Sequence, residues 1–358
     1  RTRQTMNVLI VRLGALGDIV HAIPAAAALR AALPGARIDW LVEAKHRSIL
    51  DLVTVLDRVV ALEGRTLRAW TDAVRRARQA RYDVAFDFQG LMKSAVLARA
   101  SGASRVAGFS IWHLREKTAR PFYSETDDTG DNEAEHVIQK NLHLLQLVGV
   151  QTPRIEFPLA PVASRALDEI RRDIGPGPFA LVNPGAAWPN KRWPPSRFGE
   201  VAAFLSEVRG LPSMVLWGPG EQTVAQAVVA ASNGAARLAP PTDIPDLVAL
   251  SREAALIVSG DTGPLHIATA VGTPVVALFG PTNPRRNGPW APADVTVSRF
   301  DGCACHYERK CHESRWCLES ISVAEVTAAI QQRLGRGAGA DAARPRPAGP
   351  VARPDRLR

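Results

Sequence analysis

The chain has 358 residues, with 44 Lys+Arg against 35 Asp+Glu and a formal charge of +9. Hydrophobic residues make up 46% and charged residues 22%, a balance that excludes disorder over the whole length. The size argues for two domains rather than one core, and the basic excess points to an anionic partner or a charged tail.

Arg1 and Arg3 precede an apolar stretch, as in a signal peptide. That stretch, residues 8–11, stops at Arg12, whereas a signal needs about seven to fifteen apolar residues. Met6 reads as the natural start, with residues 1–5 an upstream extension. The longest uncharged run, 262–284, is broken by Gly263, Pro264, Gly272, Pro274, Gly280 and Pro281, so it cannot be one spanning helix. A cytoplasmic protein without a transmembrane anchor is expected.

In chain order, a β-branched strand at 8–11 leads into a Gly14–Gly17 turn and an Ala-rich helix at 19–33. Strands at 38–42, 59–62 and 84–88 alternate with helices at 44–52, 66–80 and 91–100. A long helix at 132–148 and a proline-rich linker at 151–162 follow. The alternation then restarts, with strands at 179–182, 213–217, 255–259 and 275–279. Helices are expected at 196–208, 221–231, 244–251, 264–271 and 323–334. This pattern predicts an α/β fold of βαβ units with parallel sheets. It divides into two doubly wound domains, 6–155 and 156–334, and a disordered basic tail at 335–358 rich in Gly, Ala, Pro and Arg. Ligands of such sheets bind beyond the carboxyl ends of the strands, so the cleft between the domains is the expected site.

Three loops leave strand ends and open helices. In the first, Gly14-Ala15-Leu16-Gly17-Asp18, the glycines permit a tight turn and Asp18 stands at a helix N-terminus. There it can be an N-cap, a catalytic base, or both. The loop lacks the G-x-G-x-x-G and Walker signatures, which disfavours a Rossmann oxidoreductase. In the second, Ser259-Gly260-Asp261-Thr262-Gly263-Pro264-Leu265-His266, free N–H groups form an anion site beside His266. The alternative is a capped helix with a core histidine. The third, Asn183 to Trp193, sets Lys191 and Arg192 in a Gly/Pro/Trp loop suited to clamping a diphosphate.

Cys303, Cys305, Cys311 and Cys317 lie within fifteen residues, with His306 and His312 between them. The spacing is not that of a standard zinc ribbon, so structural metal, disulfide and free thiols all stay open. No catalytic metal is assigned. There is no D-x-D sequence, so charge on a leaving diphosphate falls to Lys191 and helix N-termini.

Taken together, these motifs resemble glycosyltransferase family 9, the lipopolysaccharide heptosyltransferases. The likeness runs from Met6 to about Leu334 through VLIVRLGALGDIVHAIPAAAALR, IDWLVE, YDVAFDFQGLMKSA, HVIQKNLHLL, VNPGAAWPNKRWP and SGDTGPLHIATAVGTPVVALFGPTNP. IDWLVE and FQGLMKSA are similar to the heptosyltransferase I branch, whereas the Cys-rich segment is similar to heptosyltransferase II types. The resemblance implies a GT-B fold, an ADP-heptose donor, no cofactor, and metal-independent inversion. The acceptor it implies is the Kdo inner core of a lipid A-linked glycolipid at the inner face of the inner membrane. By position, Asp18 matches the catalytic base and Lys191 the lysine facing the donor diphosphate. Asp261, Thr262, Gly263 and His266 match the donor motif, and Glu221 an acidic residue on the nucleotide ribose.

Residues 58–120 hold thirteen Lys+Arg and five Asp+Glu. Arg65, Arg68, Arg115, Lys117 and Arg120 are the candidates for an anionic acceptor, while Arg75, Arg76 and Arg78 read as a solvated helix face. Residues 1–5 carry +2 and residues 336–358 carry +4, leaving only +3 for the body. Nucleic acid is therefore not expected as a partner. Two competing readings are a family 9 enzyme with another acceptor, glycan or protein, and a non-enzymatic protein that binds anionic surfaces.

Overall fold

The computed structural model describes residues 6–128, 135–151 and 154–340, with the side chains of 336–340 left aside. Two six-stranded parallel sheets are present. The first contains β1 (Asn7–Val11), β2 (Arg37–Glu43), β3 (Arg58–Leu62), β4 (Val84–Asp87), β5 (Arg105–Phe109) and β6 (Glu125–Asp127). Helices α1 (Leu16–Ala32), α2 (Arg47–Asp51), α3 (Leu67–Arg78), α4 (Met92–Ala100) and α5 (Val137–Leu144) belong to this half. The second contains β7 (Ala180–Asn183), β8 (Ser213–Val215), β9 (Ala236–Leu238), β10 (Leu256–Gly260), β11 (Val275–Phe279) and β12 (Val295–Ser298). Around it are α6 (Arg165–Ile174), α7 (Pro195–Arg209), α8 (Gln222–Ala231), α9 (Ile244–Glu253), α10 (Gly263–Ala270), α11 (Pro284–Asn287) and α12 (Val323–Ala340).

The central strands read as continuous apolar runs because helices cover both faces. Val8, Leu9, Ile10 and Val11 of β1 are wholly buried, as are Leu256, Ile257 and Val258 of β10. The strand orders are β3-β2-β1-β4-β5-β6 and β12-β11-β10-β7-β8-β9. The winding therefore reverses beside β1 in one sheet and beside β7 in the other. Such reversal points open a crevice at the strand ends. The loops bearing Asp18, Lys191 and Asp261 leave β1, β7 and β10, and so flank these two crevices.

Several expected elements change. The strands absent from the sequence reading, β5, β6, β9 and β12, lie toward the sheet margins, and β6 and β9 have only three residues each. The expected 132–148 helix is α5 followed by a 3-10 turn at Leu145–Val148, and its first residues lie outside those described. The proline-rich stretch is tied to the N-terminal domain: Leu159 bridges Val53, and the Thr54 N–H donates to the Pro158 carbonyl at 2.9 Å. Helix α12 continues to Ala340, past the expected end at Leu334, while residues 341–358 of the expected tail lie outside the described residues. No helix among the described residues is long and apolar enough to cross a membrane.

Candidate active site

Asp18 is not the N-cap of α1. Ala15 holds that position and Asp18 is the third helical residue, with its carboxylate accepting the Ala15 N–H at 3.3 Å. Its main partner is Arg12, just beyond β1, at 2.6 Å. The Arg12 guanidinium also donates to the Phe88 carbonyl, and its own carbonyl accepts the Trp40 indole N–H at 3.2 Å. Burial by itself would raise the Asp18 pKa, but Arg12 outweighs it and holds the carboxyl below its ordinary value. Asp18 is thus ionised at neutral pH, with 40% of its side chain exposed to the cleft.

On the other domain, Lys191 and Asp261 form a largely buried ion pair at 2.5 Å. Asp261 also faces His266 Nε2 at 3.1 Å and accepts the Thr282 hydroxyl at 2.8 Å. Burial opposes its ionisation, yet His266 and Lys191 together push its pKa well below the usual carboxylate range. The Lys191 ammonium stands 4.5 Å over the Trp188 ring, within a 3-10 turn, Pro189–Lys191. Thr262 is the N-cap of α10, and its hydroxyl accepts from the Asn183 amide at 2.9 Å. Glu221 sits ahead of α8, accepts the Gly218 N–H at 3.2 Å, and packs against Gly185.

Two glycines bring these halves together. A Cβ on Gly17 would run into the His266 ring, and one on Gly263 would come within 2.8 Å of Leu16 Cδ2. Hence the N-termini of α1 and α10 touch across the domains, and Asp18, Asp261 and His266 share one cleft. The sequence motifs missed the seal behind this contact. The His21 ring lies 4.4 Å from His266 and 5.4 Å from His136, which in turn stands 5.0 Å from Trp290. His136 Nε2 faces the Gly288 carbonyl at 3.0 Å, and its Nδ1 accepts the Ile138 N–H at 3.2 Å. That pair fixes a neutral ring protonated at Nε2. Burial lowers its pKa to about 4 and holds His21 well below the ordinary value too.

The acceptor candidates stand apart from this network. Arg65, Arg115 and Lys117 are exposed and make no ion pair or hydrogen bond among the described residues. Arg68 lies 4.0 Å from Asp72, and Arg120 donates to the Tyr123 carbonyl at 3.2 Å. All five follow β3 or β5, at the same carboxyl edge as Asp18. The loops there are anchored by Asp87, a buried residue at the end of β4. It accepts the Tyr123 hydroxyl at 2.7 Å, the Ser94 hydroxyl at 2.9 Å and the Gln89 N–H at 2.9 Å. The arginines read as a solvated face divide: Arg75 pairs with Asp72, but Arg76 and Arg78 donate to the Ala61 and Ala100 carbonyls at 2.5 and 2.8 Å.

Of the missed residues, Arg12 carried the clearest signal, as a cation ending a buried strand next to the glycine loop. His21, Asn183 and Thr282 carried none, because their partners lie distant in sequence. The four cysteines are free thiols, with Cys303 and Cys305 sulfurs 3.7 Å apart. Asn190, next to Lys191, donates to the Glu308 carbonyl at 2.9 Å and touches the Cys305 sulfur at 3.9 Å. The cysteine segment therefore braces the Lys191 loop. Among the described residues, no group of three or more His, Cys, Asp or Glu is arranged to hold a metal ion.

The sequence profile of glycosyltransferase family 9 (heptosyltransferase) matches residues 70–317. Lipopolysaccharide heptosyltransferase 1 of Pseudomonas aeruginosa is 30% identical over 319 residues, covering 86% of this chain and 87% of that protein. The solved structure of Escherichia coli heptosyltransferase WaaC with ADP aligns with a TM-score of 0.71 at 21% identity, over 93% of this chain and 100% of the other. That of E. coli ADP-heptose lps heptosyltransferase II gives 0.75 at 20% identity, over 93% and 100%. The two likenesses speak for the fold, the GT-B arrangement of two doubly wound domains. By the profile and the full-length relative, this enzyme belongs to glycosyltransferase family 9, the heptosyltransferases.

Proposed function

We propose that the chain transfers heptose from ADP-heptose to the Kdo inner core of lipid A-linked lipopolysaccharide, with inversion and without a metal ion. The observation that supports this best is the meeting of an ionised Asp18 with the Lys191–Asp261–His266 network where α1 and α10 touch. An inverting transfer needs a base on the acceptor and fixed positive charge on the leaving group, on opposite sides of the anomeric carbon. In this reading the Asp18 carboxylate takes the proton from an acceptor hydroxyl as that oxygen bonds to the anomeric carbon. The bond from that carbon to the ADP oxygen breaks, and the electron pair leaves with ADP. Lys191 and the free N–H groups of α10 meet the growing diphosphate charge, with Thr262 and Gly263 shaping that end. Asp261 and His266 hold Lys191 in place, and Glu221 takes the ribose hydroxyls. A base with a lowered pKa is weak, but the hydroxyl acidifies as its bond to carbon forms, so a late proton transfer suffices.

Arg65, Arg68, Arg115, Lys117 and Arg120 hold the anionic groups of the acceptor. The same reading places the enzyme in the cytoplasm, peripheral to the inner face of the inner membrane, with neither cofactor nor nucleic acid as partner. A second acceptor, the first core heptose, follows from the sequence resemblance of the Cys303–Cys317 segment to heptosyltransferase II types. Mass spectrometry of a Kdo-lipid A acceptor incubated with ADP-heptose and enzyme separates the two. A gain of one heptose is expected. No gain there, with a gain on an acceptor already carrying one heptose, would select the second reading.

A further inference from the structure

Soluble proteins bury most large apolar side chains, and single exposed ones need no explanation, but several at one edge of one sheet, set among unpaired cations, suit an interface. Among the described residues, the large exposed apolar side chains are Leu67, Met92, Ile111, Trp112, Val208 and Tyr307. Four of them lie at one edge of one sheet. Leu67 opens α3 after β3, Met92 opens α4 after β4, and Ile111 and Trp112 follow β5. Leu67 is 81% exposed and Trp112 73%, so neither is half-covered by its neighbours.

These positions are held in register. The Met92 N–H donates to Glu116 at 2.8 Å, joining the β4 and β5 loops. The loop after β3 carries Arg65 and the loop after β5 carries Arg115 and Lys117, whose side chains have no partner among the described residues. Farther along the same two helices, α3 and α4 flank an open apolar groove of about 450 Å³ lined by Trp70, Val74, Val96 and Leu97, with Arg75 and Arg78 beside them. Apolar tips among unpaired cations suit a surface that is oily inside and anionic at its rim. Apolar area entering the acyl boundary and cations meeting lipid phosphates add in binding strength.

We propose that the edge formed by Leu67, Met92, Ile111 and Trp112 is where this enzyme docks on an anionic phospholipid bilayer, which brings the cleft down to a lipid-anchored acceptor. The inference rests on the acceptor being lipid-linked. It assigns the docking to the N-terminal domain rather than to the basic segment beyond residue 340.

The test is co-sedimentation of the full chain with vesicles of phosphatidylethanolamine and phosphatidylglycerol, and with vesicles of phosphatidylcholine alone. Wild type should sediment with the first and only weakly with the second. The triple variant Leu67→Ala, Ile111→Ala, Trp112→Ala should lose at least about tenfold in partitioning, because each side chain removes apolar area from the interface. Its circular dichroism and its transfer to a soluble, de-acylated acceptor should not change. In addition, Trp112→Leu alone should abolish part of the quenching of tryptophan emission by brominated acyl chains. Equal sedimentation of wild type and triple variant would overturn the proposal and assign binding to the C-terminal segment. Absence of wild-type binding to the anionic vesicles would also overturn it. A fall in transfer to the de-acylated acceptor equal to that on vesicles would make the edge a surface that closes on the other domain. Docking without any heptosyl transfer would instead refute the acceptor reading and leave the docking surface standing.

Discussion

The two sheet edges that face each other across the cleft carry charge in opposite ways. On the C-terminal side, Lys191 and Asp261 are buried with side chains 14% and 7% exposed, paired at 2.5 Å, and braced by His266 and Thr282. On the N-terminal side, the side chains of Arg65, Arg115 and Lys117 are exposed and unpaired among the described residues. Preorganised charge suits a small diphosphate that must be met in one geometry as it leaves. Loose, solvated cations suit a large anionic lipid-linked sugar that must bind and then leave the cleft. Asp18 sits between these regimes, fixed by Arg12 yet open to the cleft. If the proposed roles hold, substitutions on the buried side cost stability and chemistry together, whereas those on the open side cost binding of the acceptor and its membrane with little loss of stability.

The strongest challenge to this contrast is Asp18→Ala. Loss of the proposed base should lower turnover by about 10²–10⁴-fold, measured by mass spectrometry of the acceptor, while calorimetry shows ADP-heptose still bound. Near-wild-type turnover would dismiss Asp18 as base. Lys191→Met comes next. It leaves the Asp261 carboxylate buried without its main cation, at a cost of about 3 kcal/mol in urea unfolding, together with weaker ADP binding. A cost below about 0.5 kcal/mol would mean that the pair is solvent-screened like a surface pair.

Arg12→Gln probes the position between the regimes. In wild type the Asp18 pKa is depressed, so activity that depends on the carboxylate persists above that value and is lost only as pH falls through it. Without Arg12 only the Ala15 N–H and His266 oppose the effect of burial, and the acid limb of kcat/KM should move up by about one unit or more. An unmoved limb would mean that Asp18 is not the titrating base. His136 tests the seal. Its folded pKa is lowered to about 4, so the unfolded chain binds its proton first as pH drops below about 6.5. Stability should therefore fall from pH 6.5 toward 4, by up to about 1.4 kcal/mol per unit from this ring. Urea midpoints against pH should flatten by that amount in His136→Gln, and an unchanged slope would place the acid sensitivity elsewhere. The smallest effect is expected from Arg65→Ala with Arg115→Ala. Urea stability should shift by no more than about 0.5 kcal/mol, while KM for the acceptor rises and that for ADP-heptose stays.

Much of the fold was legible because the alternation of short β-branched runs with helical stretches is local. The margins were less so. β6, with the sequence Glu-Thr-Asp, pairs through backbone bonds and carries no apolar pattern, and the half-buried β12, Val-Thr-Val-Ser, alternates over only four residues. At the site, the glycine loops announced Asp18, Lys191 and Asp261, since each needs a tight exit from a strand. What those side chains touch was not legible. Arg12 lies six residues from Asp18, but only the strand end turns it toward that carboxylate. Lys191 and Asp261 are seventy residues apart.

By itself, the chain's sequence determined two doubly wound domains, their ligand-facing ends, and a net charge of +9 concentrated in one half and in the tail. These follow from spacing along the backbone, which any local window reads. The tertiary structure decided which charges are neutralised and which are left free. It did so because pairing depends on the strand order that brings distant loops together. It depends also on the two glycines, Gly17 and Gly263, that let α1 and α10 touch. The same packing left Leu67 and Trp112 outside, since the strand ends that carry them face out of the core.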